Sequence, residues 1–460
     1  MASHVIDYIS IQDNYGTEEM RQIWSETSRL AHQLEVEKAL ALAEGDLHVI
    51  PPKAAQHIAE KADISYYDIK EVGKANKKAK HSLVGTLKNM QKQIGADGEY
   101  VHYGATTQDI LDTAMVLQLK ETEHILRRDL KAILSELARL AMIYKQTPMS
   151  GRTHGVHAIP MTFGFRLSIY LAELGRHLDR LEEMKKRLFT GVLGGAIGTY
   201  ASYGEEGINI EKKALERLGL AVPEISWHSS RDRLAEFAEW TSLLSASLGK
   251  MANDFFVLMG DEVQEIQEPF AEGEIGSSTM PQKRNPVLLE NIAGLVKPIF
   301  HAADLARDAM TVYHERDGMH WKLEWIAIPE VSLYLSAQLS MTYTLLQGLV
   351  VRKDHMLRNL NADGGLIVSE KIMFELGKHT GKQTAHRIIY ESAMIAQETG
   401  RPFRDVLLHN PAVTAYLSKE DIFSLSNPVN YTGQSAAKVE TVLEIAQKKH
   451  WIDSNIEENH

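Results

Sequence analysis

Apolar residues recur at three- and four-residue steps along much of this chain, which is the spacing of an amphipathic α-helix. The run from Leu117 to Ala141 shows the pattern most clearly, and similar runs cover Thr162–Phe189, Arg233–Ile266, Val287–Met310 and Pro329–Leu349. Each run is long enough for a helix of about 30 Å or more at 1.5 Å per residue. Alternating apolar and polar positions are scarce. The pattern therefore predicts an all-α protein built on a bundle of long helices.

The distribution of proline supports this prediction. Only 13 prolines occur, and none lies between Pro52 and Pro148, between Pro160 and Pro223, or between Pro329 and Pro402. Proline disrupts helix interiors, so these intervals allow long helices. Shorter periodic segments precede and follow the long ones. We therefore predict a small helical domain over 1–105, a central long-helix domain over 106–360 and a C-terminal helical domain over 361–460.

Composition and charge exclude several functional classes. The chain has 50 basic and 61 acidic residues, a net charge of −11, which argues against nucleic acid or an anionic membrane surface as a partner. It has no cysteine, which excludes disulfides, cysteine-ligated zinc, iron–sulfur clusters and a cysteine nucleophile. Without an N-terminal signal segment or an apolar run of about 20 residues, a cytoplasmic protein is expected.

The polar segment Gly276–Pro286 holds two serines, a threonine, a lysine, an arginine and an asparagine directly before a predicted helix. One interpretation is an ordinary helix start, with Asn285 as cap and Pro286 at the first helical position. Cations are disfavoured at that end of a helix, so Lys283 and Arg284 indicate instead an anion bound nearby.

Two further segments carry hydroxyl and imidazole groups. Gly104–Asp109 places two threonines before a helix, where they suit either capping or a carboxylate ligand. Gly151–His157 holds two histidines three residues apart. A metal site there is rejected because the segment has no acidic ligand, and a histidine acid or base is preferred, beside a core or capping role.

Three other segments stand out. Trp227–Arg233 offers guanidinium groups either to an internal ion pair or to a carboxylate ligand. His314–Trp321 is unusually dense in ionisable groups. Gly191–Gly198 is rich in glycine but lacks the dinucleotide spacing and a preceding strand, so a dinucleotide site is rejected.

Together these segments resemble the fumarase/aspartase superfamily. The signature is Gly276–Pro286, and Thr106–Asp109 and Thr153–His154 match the two other shared regions in the right order. The resemblance covers essentially the whole chain. It implies a three-domain, mostly helical subunit, a homotetramer with a twenty-helix core, and active sites built from three subunits.

The chemistry that the resemblance implies is anti β-elimination, usually releasing fumarate, with no metal or organic cofactor. Ser277 matches the catalytic base, His154 the general acid of adenylosuccinate lyases, and His81 a second histidine on the substrate side. Lys283 and Asn285 would hold the substrate carboxylate opposite Thr106 and Thr107, and stabilise the aci-carboxylate dianion. The remaining residues of the predicted site are Thr153, Ser278, Arg231 and Arg233 as substrate contacts and Glu315 as an orienting group.

Different segments of the chain resemble different branches of the superfamily. Asn14–Met20 resembles the opening segment of adenylosuccinate lyases, but Asn14, Thr17 and Trp325 stand where those enzymes carry arginines for a phosphate. Trp227–His228 and Asn427–Gln434 are more similar to 3-carboxy-cis,cis-muconate cycloisomerases. The sequence predicts an adenylosuccinate-lyase-like C–N elimination, with a cycloisomerase or a lyase for a non-nucleotide N-succinyl compound as alternatives. A non-enzymatic helical scaffold is the competing class, which the intact Ser277 and His154 disfavour.

Overall fold

The computed structural model describes residues 3–270, 273, 276, 277 and 279–453, and this part of the chain is mainly helical. Its helices are α1 (Glu18–Ile23), α2 (Glu26–Asp46), α3 (Pro52–Lys61), α4 (Ile69–Ala79), α5 (Val84–Ile94), α6 (Thr107–Ile143), α7 (Phe163–Leu188), α8 (Gly207–Leu218), α9 (Asp232–Met259), α10 (Val287–Gly294), α11 (Val296–Asp308), α12 (Gly318–Gln347), α13 (Lys353–Leu360), α14 (Ser369–Thr380), α15 (Lys382–Thr399), α16 (Phe403–Leu408), α17 (Pro411–Thr414), α18 (Lys419–Leu425) and α19 (Ser435–Lys448). Two antiparallel pairs of strands join them, β1 (Pro148–Thr153) with β2 (Val156–Thr162) and β3 (Ile266–Gln267) with β4 (Val350–Val351).

The predicted all-α class is confirmed, and the long apolar runs form the longest helices. Helix α6 extends the Leu117–Ala141 run at both ends, α7 matches Thr162–Phe189 closely, and α9 ends seven residues before Ile266, where strand β3 begins. The short β1–β2 hairpin was not predicted, because its strands are short and lack a simple alternation of polar and apolar residues.

Two proline positions depart from the prediction. The run Val287–Met310 divides into α10 and α11. Pro298 lies in the first turn of α11, and its ring is incompatible with a continuous helix at the carbonyl four residues earlier, which belongs to Gly294. The opposite holds in α12, where Pro329 lies inside the helix instead of at its start. The helix continues through this proline, whose missing N–H leaves one bond of the ladder unmade.

The chain forms two compact units, each assembled from separated stretches. Unit 1 comprises Met1–Leu130, His177–Gly249 and Asn291–Met341; unit 2 comprises Lys131–Arg176, Lys250–Glu290 and Thr342–His460. The three-domain division with boundaries after residues 105 and 360 stays a prediction.

Each unit has its own apolar core. In unit 1, the inner face of the first turns of α6 packs against α2, α8 and the buried indole of Trp227. Ile110, Ala114 and Leu117 supply this face at three- and four-residue steps. Burial of a side chain as large as Ile110 or Leu117 typically contributes about 2 kcal/mol, so the start of α6 is firmly held. In unit 2, α14, α15 and α16 enclose a separate core that includes Leu376, Ile388 and Phe403.

None of the helices in the described ranges combines the length and the apolar character that crossing a bilayer requires.

Candidate active site

The residues of the predicted site fall into two groups, one in each compact unit. Unit 1 holds His81, Thr106, Thr107, Arg231, Arg233 and Glu315, and unit 2 holds Thr153, His154, Ser277, Lys283 and Asn285. Ser278, the remaining predicted contact, lies outside the described residues. The geometry of each group follows separately.

In unit 1, the two threonines lie at the start of α6 and are half-buried. The backbone N–H of Thr106 donates to the Asp109 carboxylate at 2.9 Å, the reciprocal half of a helix capping box. The hydroxyl oxygen of Thr106 accepts a hydrogen bond from Arg316 Nη1 at 2.9 Å. A guanidinium group beside a hydroxyl at a helix N-terminus is well suited to an anion.

Arg316 was not among the predicted site residues. It is exposed and belongs to the charged segment His314–Trp321, but the sequence offers no spacing rule that links it to a threonine 210 positions away. The next residue, Asp317, accepts hydrogen bonds from three backbone N–H groups and from His320 Nδ1 at the start of α12. These bonds outweigh the effect of burial and lower the pKa of Asp317. Glu315 is exposed beside them and stays a prediction.

Arg231 departs from its predicted role as a substrate contact. Its guanidinium is fully buried and forms a two-pronged salt bridge with Asp112, at 2.6 and 3.1 Å. A second two-pronged salt bridge joins it to Glu324, through Nε at 2.8 Å and through Nη2. Burial raises the pKa of Glu324 to about 7, although Arg231 opposes that shift. With these donors engaged by internal carboxylates, Arg231 joins α6 to α12 and is not available to a ligand.

The other two unit 1 residues keep part of their hydrogen-bonding capacity. Arg233 donates from Nη2 to Glu224 at 3.0 Å, while its buried Nε has no partner among the described residues. His81 is exposed, and its Nδ1 accepts from the N–H groups of Leu83 and Val84 at 3.2 and 3.3 Å. An accepting Nδ1 leaves the proton of a neutral imidazole on Nε2, which is then the donor. Both residues stay predictions as substrate contacts.

In unit 2, His154 lies at the tip of the β1–β2 hairpin. His154 and Gly155 form a two-residue turn with φ values of 53° and 82°, the sign pattern of a type I′ turn. Asparagine and glycine are the usual residues at these two positions, so the histidine carries some backbone strain that an asparagine in the same turn would not. Its imidazole is exposed and makes no hydrogen bond to any described residue.

The strand that leads to this tip is anchored. Arg152 forms a two-pronged salt bridge to the buried Glu265 at 2.7 and 3.1 Å, and Asn359 donates to the same carboxylate at 3.0 Å. Thr153 is exposed between the anchor and the tip, opposite Val156. The hairpin therefore presents Thr153 and His154 outward on a fixed base.

The signature segment is closed at its neck. Asn285 Nδ2 donates to the carbonyl of Gly276 at 2.9 Å, and a Cβ at position 276 would lie 2.3 Å from the Lys283 carbonyl oxygen. Inside the neck, Ser277 Oγ accepts from the N–H groups of Thr279 and Met280 at 3.3 and 3.1 Å. Backbone donors aimed at a hydroxyl oxygen stabilise negative charge on that oxygen. Lys283, in the same segment, is exposed.

The helix after the signature segment has an internal anion. The N–H groups of Leu288 and Leu289 donate to the mostly buried Glu268 carboxylate at 3.2 and 2.7 Å. Asn285 is not the side-chain cap, because its amide bonds to Gly276, and α10 begins at Val287. The anion that we expected at this helix is thus a carboxylate of the chain itself. Arg284, in turn, lies over the Phe270 ring at 4.4 Å.

A cleft of about 1000 Å³ in unit 1 contains none of the predicted site residues. Several of its charged groups pair with one another, as in Arg128 with Glu19 and His32 with Glu35. Among the described residues, no group of three or more histidines and carboxylates is arranged to hold a metal ion.

Two family models match the chain. One is described as lyase and matches residues 13–300; the other is described as adenylosuccinate lyase C-terminus and matches residues 365–442.

Individual relatives match from end to end. The chain is 50% identical to an N-acetyl-S-(2-succino)cysteine lyase of Dickeya dadantii over 97% of this chain and 98% of the relative. It is 38% identical to an adenylosuccinate lyase of Methanocaldococcus jannaschii, over 98% and 97%. Among solved structures, 3-carboxy-cis,cis-muconate lactonizing enzyme from Pseudomonas putida superposes with a TM-score of 0.90 at 33% identity, over 96% and 100% of the two chains.

Proposed function

The chain belongs to the fumarase/aspartase superfamily of lyases, and on this premise we propose that it eliminates fumarate from a succinylated thiol related to N-acetyl-S-(2-succino)cysteine. The observation that carries the proposal is the 50% identity over nearly the whole of both chains. The relative's substrate name places the succino group on sulfur. The bond broken is then C–S, in place of the C–N bond expected from the adenylosuccinate lyase resemblance.

The reaction needs a base for a weakly acidic proton. We assign this role to Ser277, whose Oγ accepts the two backbone N–H groups of Thr279 and Met280. A serine hydroxyl is a poor base unless its alkoxide is stabilised, and we propose that these donors supply that stabilisation together with the ammonium of Lys283, which belongs to the same segment. The alkoxide takes the proton from the carbon that lies between the carbon bearing sulfur and a carboxylate.

The electron pair left by that proton moves into the adjoining carboxylate as an aci-carboxylate dianion. Lys283 and Asn285 hold this developing charge, and Thr106 and Thr107 hold the substrate carboxylates from the other side. The dianion then collapses, the C–S bond breaks, and fumarate forms. His154 donates a proton to the departing sulfur, so that the second product is a free thiol. We propose that the active site is assembled from residues of different subunits of a homotetramer, as the superfamily resemblance implies.

Arg316 extends this proposal to the part of the substrate beyond the succinyl group. An N-acyl cysteine carries a third carboxylate, and an exposed guanidinium that already contacts Thr106 is placed to meet a negative group next to the threonines. Tight recognition of a nucleotide phosphate is less well supported. Thr17 caps α1 and Trp325 lies 5.0 Å from the Arg29 guanidinium, at positions where adenylosuccinate lyases are expected to carry arginines.

Adenylosuccinate is the second candidate substrate, because the C-terminal family model and a 38% identical relative both carry that name. The test is a parallel assay of the purified protein with N-acetyl-S-(2-succino)cysteine, adenylosuccinate and 3-carboxymuconate. Fumarate is followed by ultraviolet absorbance and free thiol by a thiol-reactive dye. We expect fumarate and thiol in equal amounts from the first compound. Fumarate from adenylosuccinate alone, or lactone from 3-carboxymuconate alone, would overturn the proposal.

A further inference from the structure

Four donors of unit 1, from the residue before α6, the glycine-rich segment Gly191–Gly198 and His228, converge on one fully buried carboxylate, that of Asp109. One oxygen accepts from Thr106 N at 2.9 Å and Gly195 N at 3.0 Å, and the other accepts from Gly194 N at 3.1 Å and His228 Nε2 at 2.7 Å. A buried carboxylate requires such partners, and four of them leave it rigidly held.

The imidazole in this set is itself fixed. His228 is buried, and its Nδ1 lies 3.1 Å from the Ser226 hydroxyl, so that a hydroxyl donating to Nδ1 places the ring proton on Nε2, facing Asp109. Gly198 packs so closely on Ser226 that a Cβ there would lie 2.3 Å from the serine Cβ. Two segments left without a function by the sequence, Gly191–Gly198 and Trp227–His228, are therefore both attached to the start of α6 through Asp109.

This arrangement has an electrostatic cost. A negative charge near the point where a dicarboxylate binds repels that ligand, and a neutral acceptor would avoid the repulsion. The carboxylate offers what an amide does not, since it accepts from all four donors at once, whereas an asparagine would direct its own N–H groups at some of them. The four hydrogen bonds thus hold the glycine-rich segment against the start of α6, at the cost of some electrostatic repulsion of the ligand.

We propose that Asp109 is the positioning residue of the substrate-carboxylate contact. It fixes the first turn of α6 against Gly194 and Gly195 so that Thr106 and Thr107 meet the dicarboxylate half of the substrate at a set distance. This inference rests on the proposed role of the two threonines. It also separates Asp109 from the catalytic residues, because it touches neither the substrate nor the reacting atoms.

The chain provides a matched control for a merely structural role. Glu211 is also buried, and it accepts from Leu193 N at 2.8 Å and from the Tyr200 hydroxyl at 2.7 Å. Leu193 directly precedes Gly194, so Glu211 supports the same glycine-rich segment. Among the described residues, Glu211 makes no hydrogen bond to the start of α6. Asp109→Asn and Glu211→Gln therefore remove the same charge from the same segment, and only the first loosens Thr106.

The experiment measures fumarate as a competitive inhibitor, together with KM and kcat for the succinylated thiol. We expect Asp109→Asn to raise the fumarate inhibition constant and KM about 10-fold, the equivalent of one charge-assisted hydrogen bond, with kcat changed much less. Glu211→Gln should stay within about 2-fold. Unchanged or tighter fumarate binding in Asp109→Asn, which charge removal alone would give, overturns the proposal. Equal weakening in both variants overturns it as well.

A milder variant keeps the test usable if Asp109→Asn does not fold. His228→Gln retains the Asp109 charge and removes the imidazole from it, and we expect a rise of about 3-fold in the fumarate inhibition constant. Binding equal to that of the unmodified protein would contradict the proposal.

Thr107→Val distinguishes the two levels of inference. If Thr107→Val leaves fumarate binding unchanged, the proposed threonine contact is wrong. If Thr107→Val weakens binding but Asp109→Asn does not, only the role of Asp109 is wrong.

Discussion

At the scale of single residues, the Ser277 hydroxyl combines two roles that a substitution separates. Its oxygen caps the turn formed by Thr279 and Met280, and it is the proposed base. We expect Ser277→Ala to lower kcat by about 10³-fold or more, since a positioned base supplies an acceleration of that order. The lost turn cap is exposed and should leave the melting temperature nearly unchanged. Rates come from fumarate absorbance and stability from calorimetry.

The neighbouring hydroxyl of Thr279 provides the control for this variant, because Thr279→Ala removes an exposed hydroxyl from the same segment. It should retain most of the turnover. Full activity in Ser277→Ala would reject Ser277 as the base.

A second prediction concerns His154, because asparagine suits the backbone conformation at this position better than histidine does. Asparagine followed by glycine is the preferred pair for a type I′ turn, so His154→Asn should keep or slightly raise the melting temperature. Without the general acid, we expect kcat to fall about 10- to 100-fold for an S-succinyl alkyl thiol, whose thiolate is a poorer leaving group. The fall should be below about 3-fold for an S-succinyl aromatic thiol. Equal losses for the two substrates would argue against proton donation by His154.

The sequence predicts residues by type and order, but it does not predict their contacts. Ser277, Lys283 and His154 stay predictions, made because their segments resemble a known pattern. Arg231 was assigned to the substrate because a guanidinium near a helix start suits a carboxylate, but the matching carboxylates, Asp112 and Glu324, belong to the chain itself. Pairing across 93 to 119 positions leaves no local pattern, and the same holds for Arg316 and Thr106.

At the scale of elements, helix α2 carries two buried glutamates, Glu37 and Glu44, seven residues apart on its inner face. Glu37 pairs with His102 Nδ1 at 2.7 Å, while neither oxygen of Glu44 has a hydrogen-bond partner in the described ranges. Burial, assisted by the charge of Glu37, raises the pKa of Glu44 to about 9. Glu44 is therefore neutral in the folded protein near pH 7.

This shift predicts how stability depends on pH. A carboxyl pKa raised by folding stabilises the protein fully below the ordinary value of 4.5, and this stabilisation is lost as the pH rises through 9. Glu44→Gln keeps the neutral form at every pH. We expect it to exceed the unmodified protein in free energy of unfolding by about 1–3 kcal/mol at pH 9, and to differ little at pH 5.

The measurement is urea unfolding at several pH values, with the exposed Glu60→Gln on α3 as the control, which should follow the unmodified protein throughout. Parallel stability curves for Glu44→Gln and the unmodified protein would show that Glu44 is charged in the fold.

The period of apolar residues predicted the long helices because burial repeats along a helix face. It missed the β1–β2 hairpin, whose turn depends on positive φ at His154 and Gly155 and whose strand depends on the Arg152–Glu265 salt bridge. It also merged α10 with α11, since apolar spacing continues across the break caused by Pro298.

At the scale of the whole molecule, the long helices retain large apolar side chains that the single chain leaves exposed. They include Ile169 on α7, Leu243, Phe256 and Val257 on α9, and Ile326 on α12. Exposed apolar side chains on otherwise buried helices are typical of subunit interfaces. The homotetramer with shared active sites, which the superfamily resemblance implies, would cover them.

This expectation is tested by Leu243→Glu, which places a charge on a side chain that is 53% exposed in the single chain. We expect the variant to sediment as a species smaller than a tetramer and to lose at least about 10-fold in turnover, because a charge buried at an interface costs several kcal/mol. Ile208→Glu, on the short helix α8, alters a side chain that is more exposed still, at 66%, and this variant should remain tetrameric and active. A fully active Leu243→Glu tetramer would place the interface elsewhere.

The closed neck between Gly276 and Asn285 has a consequence for how substrate choice can change. Gly276 and Asn285, at the two ends of the signature segment, are hydrogen-bonded to each other. Ser277 and Lys283 therefore lie on one constrained loop, and a change that moves one of them also moves the other. Substitutions that adapt the enzyme to a new leaving group can therefore preserve catalysis only if they lie outside that loop. Divergence among such enzymes should accumulate around Arg316, while the half of the site that yields fumarate, including the glycine-rich segment that supports the start of α6, is inherited together.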